Sequence, residues 1–166
     1  MNKALFLDRD GVINKDHHYV NQIEDFEFMD GIFELCKKYQ DLGYLIIVCT
    51  NQGGISKGYY KESDLIEISN YMTDVFKSKG IEIAKVYYEI SMENNHPRRK
   101  PNPGMFLDAI NEFQIDPKSS LMVGDKTSDL IAAYRAGIKE NYFIKGKYPV
   151  EEASFEFKVV HSLREV

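Results

Sequence analysis

Apolar residues along this chain follow two different periods, and the periods alternate. Four short continuous runs, Ala4–Leu7, Tyr44–Cys49, Lys85–Ile90 and Ser120–Val123, have the length and the β-branched or aromatic content of buried parallel strands. Asn141–Ile144 is a shorter fifth run, and Phe155–Val159 has the pattern of a last edge strand. Between the runs, apolar positions recur at helical spacing: Ile32, Leu35, Cys36, Tyr39 and Leu42, then Leu65, Ile68, Met72, Val75 and Phe76. A third stripe is Met105, Phe106, Ala109, Ile110 and Phe113, and a fourth is Leu130, Ile131, Ala133 and Tyr134. Gly43, Gly80 and Gly137 stand where the first, second and fourth helices should stop, while Asn102 and Pro103 predict the N-cap and first turn of the third. Strands alternating with helices predict the α/β class, with a doubly wound parallel sheet covered on both faces.

A chain of 166 residues can bury one real core, so residues 1–166 are expected to form a single domain. Hydrophobic residues at 43% and charged residues at 28% are ordinary for a globular protein. The net charge of -5 argues against a nucleic-acid partner, which would call for a basic surface. No apolar run reaches membrane-spanning length, and the N-terminus leads directly into a strand, so neither a membrane nor a leader is expected. Cys36 lies on an apolar helix face and Cys49 closes a buried run, which makes both core thiols and suits a cytoplasmic location. The chain is expected to act as a monomer.

In a parallel sheet, ligands bind beyond the carboxyl ends of the strands, and here those ends are polar. The first run ends in Asp8-Arg9-Asp10-Gly11, the second in Thr50-Asn51-Gln52-Gly53-Gly54, and the fourth in Gly124-Asp125-Lys126-Thr127-Ser128-Asp129. The loop after the third leads to Arg98-Arg99-Lys100-Pro101. Two carboxylates two residues apart repel unless a cation or a proton lies between them, and Mg²⁺ meets that need while also binding phosphate. Asp8, fixed at the strand terminus, is the better nucleophile toward phosphorus. Asp10 is placed to protonate the leaving alkoxide and then to deprotonate water. Asp8, Asp125 and the carbonyl of Asp10 form the expected Mg²⁺ site. Lys100 neutralises charge on the transferring oxygens, and Thr50, Asn51 and Gln52 bind them. Asp129 is expected to support the loop.

These strings resemble the haloacid dehalogenase superfamily of phosphohydrolases, whose fold is Rossmann-like. The match comprises Asp8-Arg9-Asp10-Gly11, Thr50-Asn51, Lys100 and Gly124-Asp125-x-x-x-Asp129, and it spans about residues 3–145. Longer strings resemble the subgroup that holds D-glycero-D-manno-heptose 1,7-bisphosphate 7-phosphatase and histidinol-phosphate phosphatase: Phe6–Asn14, Asp16–Val20, Phe26–Gly31, Thr50–Ile55, Arg99–Met105 and Gly124–Lys126. The resemblance implies a Mg²⁺-dependent phosphatase acting through an aspartyl phosphate on a phosphorylated sugar, foremost the heptose bisphosphate. Histidinol phosphate is the alternative substrate, and a non-catalytic phosphate-binding module is the alternative of another class. Arg99 and Lys126 are expected to hold the distal part of the substrate, while Asp16, His17 and Tyr19 meet sugar hydroxyls. The subgroup often carries a zinc loop of three cysteines and a histidine before the Arg-Lys pair. Here Glu89–Arg98 holds only His96, too few ligands for a closed tetrahedral site, so no zinc is expected. No inserted cap domain is visible, and Lys15–Gln22, Gly53–Tyr60 and Ser91–Arg98 are expected to roof an open site.

Overall fold

The computed structural model describes residues 1–166. In chain order the main elements are β1 (Ala4–Leu7), α1 (Ile32–Asp41), β2 (Leu45–Asn51), α2 (Glu62–Ser78) and β3 (Ile83–Glu89), followed by α3 (Gly104–Phe113), β4 (Leu121–Gly124), α4 (Thr127–Arg135), β5 (Glu140–Ile144) and β6 (Lys158–Val160). The six strands form one parallel sheet in the order β3-β2-β1-β4-β5-β6. The order reverses between β1 and β4, which pair as Leu5 with Leu121, Phe6 with Met122 and Leu7 with Val123. That reversal opens a crevice at the carboxyl ends of these two strands.

Alternation along the strands divides the core in two. Leu5, Leu7, Ile46, Val48, Leu121 and Val123 face α1 and α2 through Ile32, Leu35, Cys36, Leu65, Ile68, Met72 and Phe76. Ala4, Phe6, Ile47, Cys49, Met122 and Phe143 face α3 and α4 through Met105, Phe106, Ala109, Leu130 and Ala133. All four residues of β1 are fully buried, as the unbroken apolar run requires of a central strand. Phe6 packs on Phe106 at 5.3 Å between ring centroids, and truncating so enclosed a ring costs about 3–5 kcal/mol. Both thiols are free and buried. No helix is long and apolar enough to cross a membrane.

Several boundaries shift by a residue or two, β2 spanning Leu45–Asn51 and β3 Ile83–Glu89, and two differences have a packing cause. Asn102 does not cap α3: Pro103 occupies that place, and the Asn102 amide donates instead to the carbonyls of Asn94 and His96, both at 2.9 Å. Gly104 explains the late start, because its backbone lies against Pro97 so closely that a Cβ would overlap the Pro97 carbonyl. The edge strand begins at Lys158 rather than Phe155. Phe155 and Phe157 turn onto the sheet face beside α4, where Phe155 stacks on Tyr134 at 4.2 Å, and packing overrides the strand pattern.

Candidate active site

The pairing of β1 with β4 brings their polar ends together. Asp8 N–H donates to the Val123 carbonyl at 3.2 Å, which puts Asp8 beside the loop that carries Asp125 and Asp129. Lys100, from the loop after β3, closes the group. Its Nζ donates to Asp8 Oδ1 at 2.9 Å and to the Cys49 carbonyl at 2.8 Å, and it pairs with Asp129 Oδ1 at 2.8 Å. All of these side chains are buried. Asp129 Oδ2 accepts from the backbone N–H groups of Asp125 (3.2 Å) and Lys126 (3.1 Å), so it ties the loop while its other oxygen holds Lys100.

Electrostatics in this cluster are strained toward protonation. Burial raises the Asp8 carboxyl to about 6, with Asp129 and Asp10 adding to the rise and Lys100 opposing it. Burial also pushes Asp125 to about 10, reinforced by Asp8 and Asp129. For Lys100, burial acts to lower the pKa, but Asp129 and Asp8 outweigh it and hold the ammonium charged.

One oxygen from each of Asp8, Asp125 and Asp129 lies within 4.8 Å of the others, and Asp125 Oδ1 is buried with no hydrogen-bond partner. An unpartnered carboxylate oxygen among like charges is what a hard divalent cation would satisfy, so this donor set fits Mg²⁺. Asp129 has both oxygens engaged, which leaves Asp8 and Asp125 as the side chains free to serve a cation. Gly11 shapes the same place: its φ is +88°, and a Cβ there would overlap Asp125 Oδ2.

Asp10 has a different environment from Asp8, and its carboxylate is not part of the cation-ready cluster. Its Oδ1 accepts from Arg9 Nη2 at 2.9 Å and Asn14 Nδ2 at 3.0 Å, and its Oδ2 from Gln52 Nε2 at 3.1 Å. Arg9, itself fully buried, also donates to the Val20 carbonyl at 2.7 Å. Sequence reading placed neither Arg9 nor Asn14 in the site. Asp-Arg-Asp reads as exposed charge, and only the fold turns the guanidinium inward.

The amides after β2 hold the site together as well as facing it. Gln52 donates to Thr50 Oγ1 at 2.9 Å and accepts from Tyr60, the last residue of the segment expected to roof the site. Asn51 clamps the Lys100 peptide from both sides, donating to its carbonyl and accepting from its N–H, each at 3.1 Å.

The cleft above them has a volume of about 160 Å³ and is lined by Asp10, Asp16, His18, Tyr19, Asn51 and Gln52, with Gly53, Tyr60, Lys126 and Tyr148. A larger cavity of about 870 Å³ lies elsewhere, between residues 150–158 and β5, and holds none of the reactive groups. His17 is directed away to Glu27 at 3.3 Å, and its neighbour His18 lines the cleft instead. Tyr19 accepts from Lys57 Nζ at 2.6 Å and packs edge-on against Tyr59. Arg99 donates to the Ser91 carbonyl at 3.0 Å beside Gly53, at the margin rather than among the lining residues. Arg98 is taken by Glu89 and Asp108, and His96 Nδ1 accepts the Arg98 N–H at 3.1 Å.

The HAD-hydrolase-like family model matches residues 97–166. D-glycero-alpha-D-manno-heptose-1,7-bisphosphate 7-phosphatase from Campylobacter jejuni is 51% identical over 136 residues, covering 82% of this chain and 78% of that protein. D-glycero-beta-D-manno-heptose-1,7-bisphosphate 7-phosphatase from Helicobacter pylori is 46% identical, covering 86% of this chain and 84% of that protein. Among solved structures, a HAD-like phosphatase from Mesorhizobium loti superposes with a TM-score of 0.84 at 29% identity, covering 99% of this chain and 82% of that one. The D,D-heptose 1,7-bisphosphate phosphatase of B. bronchiseptica, complexed with magnesium and phosphate, shares the fold at a TM-score of 0.84 and 24% identity, covering 97% and 93%. The chain belongs to the haloacid dehalogenase-like hydrolases, in the family of the heptose-1,7-bisphosphate 7-phosphatases.

Proposed function

We propose that this protein is a Mg²⁺-dependent phosphatase that removes the 7-phosphate of D-glycero-D-manno-heptose 1,7-bisphosphate to leave the 1-phosphate. The observation that carries the chemistry is the unequal treatment of two carboxylates two residues apart. Asp8 is buried against Lys100 beside the unpartnered Asp125, while Asp10 is held by three neutral or cationic donors at the cleft. Different surroundings let paired carboxylates take different roles: Asp8, beside Lys100 and the cation-ready Asp125, is placed to attack phosphorus, and Asp10, at the cleft, is placed to exchange a proton with the leaving group and water.

Lys100 holds one Asp8 oxygen, and the other attacks phosphorus to give an aspartyl phosphate. Asp10, protonated at that moment, gives its proton to the departing sugar oxygen. In the second step it takes a proton from the water that attacks the phosphoenzyme, which returns Asp8 as carboxylate and releases phosphate. Thr50 and the amides after it meet the phosphoryl oxygens, and Lys100 neutralises the charge that grows there. Asp8 and Asp125, with the Asp10 carbonyl, would hold Mg²⁺, which supplies charge neutralisation at the transferring phosphoryl group.

The substrate assignment rests on the relatives' activities, and these divide between the alpha and beta anomers. Residues 1–166 are read as one capless phosphatase domain, acting as a cytoplasmic monomer, which two buried free thiols suit. The test is a comparison of kcat/KM for both anomers of the heptose bisphosphate, histidinol phosphate and p-nitrophenyl phosphate, with Mg²⁺ and with chelator. One heptose anomer should lead, and Asp8→Asn should abolish turnover of all four without unfolding the protein. Preference for histidinol phosphate would overturn the substrate assignment. Full activity in Asp8→Asn would overturn the mechanism.

A further inference from the structure

The segment between β5 and β6 reaches back to the cleft. Lys147 Nζ lies 3.1 Å from Asp16 Oδ2 and 3.3 Å from the Asp16 carbonyl, while Glu151 N–H donates to Thr127 Oγ1 at 3.2 Å. The segment is thus tied at one end to the loop after β1 and at the other to the start of α4. Tyr148 sits between the ties and lines the cleft. Its hydroxyl donates to Asp16 Oδ2 at 3.2 Å, and its ring lies 4.4 Å from Lys126 Nζ.

We propose that Tyr148 is a positioning residue for substrate recognition, joining Asp16 and Lys126 into a fixed acceptor and cation that read the non-reacting end of the sugar phosphate. This rests on the sugar-bisphosphate reading above. Lys126 makes no salt bridge, although Asp125 and Asp129 are close in sequence. A carboxylate partner would hold the ammonium but cancel its charge. An aromatic face restrains it and leaves the charge available to an anion. Restraint matters because a free lysine side chain surrenders rotamer entropy when it binds, and a pre-ordered one surrenders less. Asp16 is fixed in the same way, taking the His18 N–H on Oδ1 and Tyr148 with Lys147 on Oδ2. An acceptor suits a sugar hydroxyl and the cation suits a second phosphate.

Four variants test it: Tyr148→Leu, which removes ring and hydroxyl, Tyr148→Phe, which keeps the ring, Lys126→Ala, and the Tyr148→Leu/Lys126→Ala double variant. Thermal unfolding first establishes that each is folded. Tyr148→Leu should raise KM for the heptose bisphosphate by about tenfold more than for p-nitrophenyl phosphate, with the smaller part of its effect in kcat. Tyr148→Phe should recover most of that loss. The Tyr148→Leu/Lys126→Ala double variant should lose clearly less than the sum of the two single variants, because the ring acts through the lysine and only the hydroxyl acts through Asp16. Equal losses on both substrates, or additive losses in the double variant, would overturn the role of Tyr148. A wild-type protein with no preference for the heptose bisphosphate over p-nitrophenyl phosphate would instead sink the functional reading, and the two failures are separable.

Discussion

Raising the pH should destabilise the metal-free protein, and Mg²⁺ should reverse the trend. Asp8 has an ordinary carboxylate value of 3.8 when the chain is unfolded and about 6 when it is folded. The folded state therefore binds the proton more tightly, and the stability this contributes is complete below the unfolded value and lost as pH rises through the folded one. The whole shift corresponds to about 3 kcal/mol, of which a little under half is lost between about pH 5 and pH 7. Asp125, raised to about 10, acts with the same sign across that window. The exposed carboxylates whose values are lowered by partners, such as Glu27, Asp30 and Glu112, act with the opposite sign but at lower pH, where they finish ionising. Cation binding requires both site carboxylates deprotonated, so added Mg²⁺ should stabilise more as pH rises and release protons on binding. Urea denaturation at several pH values, once with chelator and once with excess Mg²⁺, reads both slopes. A metal-free stability that is flat or rising between about pH 5 and 7 would refute the electrostatic account of the Asp8 and Asp125 cluster.

Asp10→Asn should still form phosphoenzyme from p-nitrophenyl phosphate, whose leaving group needs no acid, but should trap it, and acid-quenched single-turnover labelling would detect the accumulated species. Arg99→Ala should raise KM for the heptose bisphosphate about ten- to a hundredfold more than for p-nitrophenyl phosphate, as expected for loss of a charge-assisted contact to the distal group. Lys100→Ala, in contrast, should harm both substrates alike, since its ammonium serves the common phosphoryl centre through Asp8. Gly11→Ala should cost about 1–3 kcal/mol in denaturation and weaken Mg²⁺ activation, because the new methyl group meets Asp125 Oδ2 and the backbone is already at positive φ. Elemental analysis of purified protein should find no stoichiometric zinc, since Glu89–Arg98 offers a single histidine.

Local hydrophobic patterning sets the order and kind of the elements and the residues that end the strands. Ala4–Leu7 could only be a central buried strand, being apolar on both faces, and Asp8 had to emerge at its end. Periodicity placed all four helices, because each apolar stripe has one face to bury and the fold buries it. Lys100, Asp125 and the amides after β2 were legible for the same reason: a parallel sheet gathers its strand ends at one edge. Tertiary structure alone decided which of those ends are neighbours. The reversal between β1 and β4 sets Asp8 against Asp125 and leaves Asp125 Oδ1 without a partner, a relation no local pattern encodes. It also turned Arg9 inward to hold Asp10, exchanged His18 for His17 at the cleft, and brought Tyr148 back to Asp16 across 132 residues of chain. The last of these joins segments whose sequence separation is large and whose local signals are weak. Periodicity reports which face a residue takes within its own element, whereas only the packing of elements fixes which side chains meet.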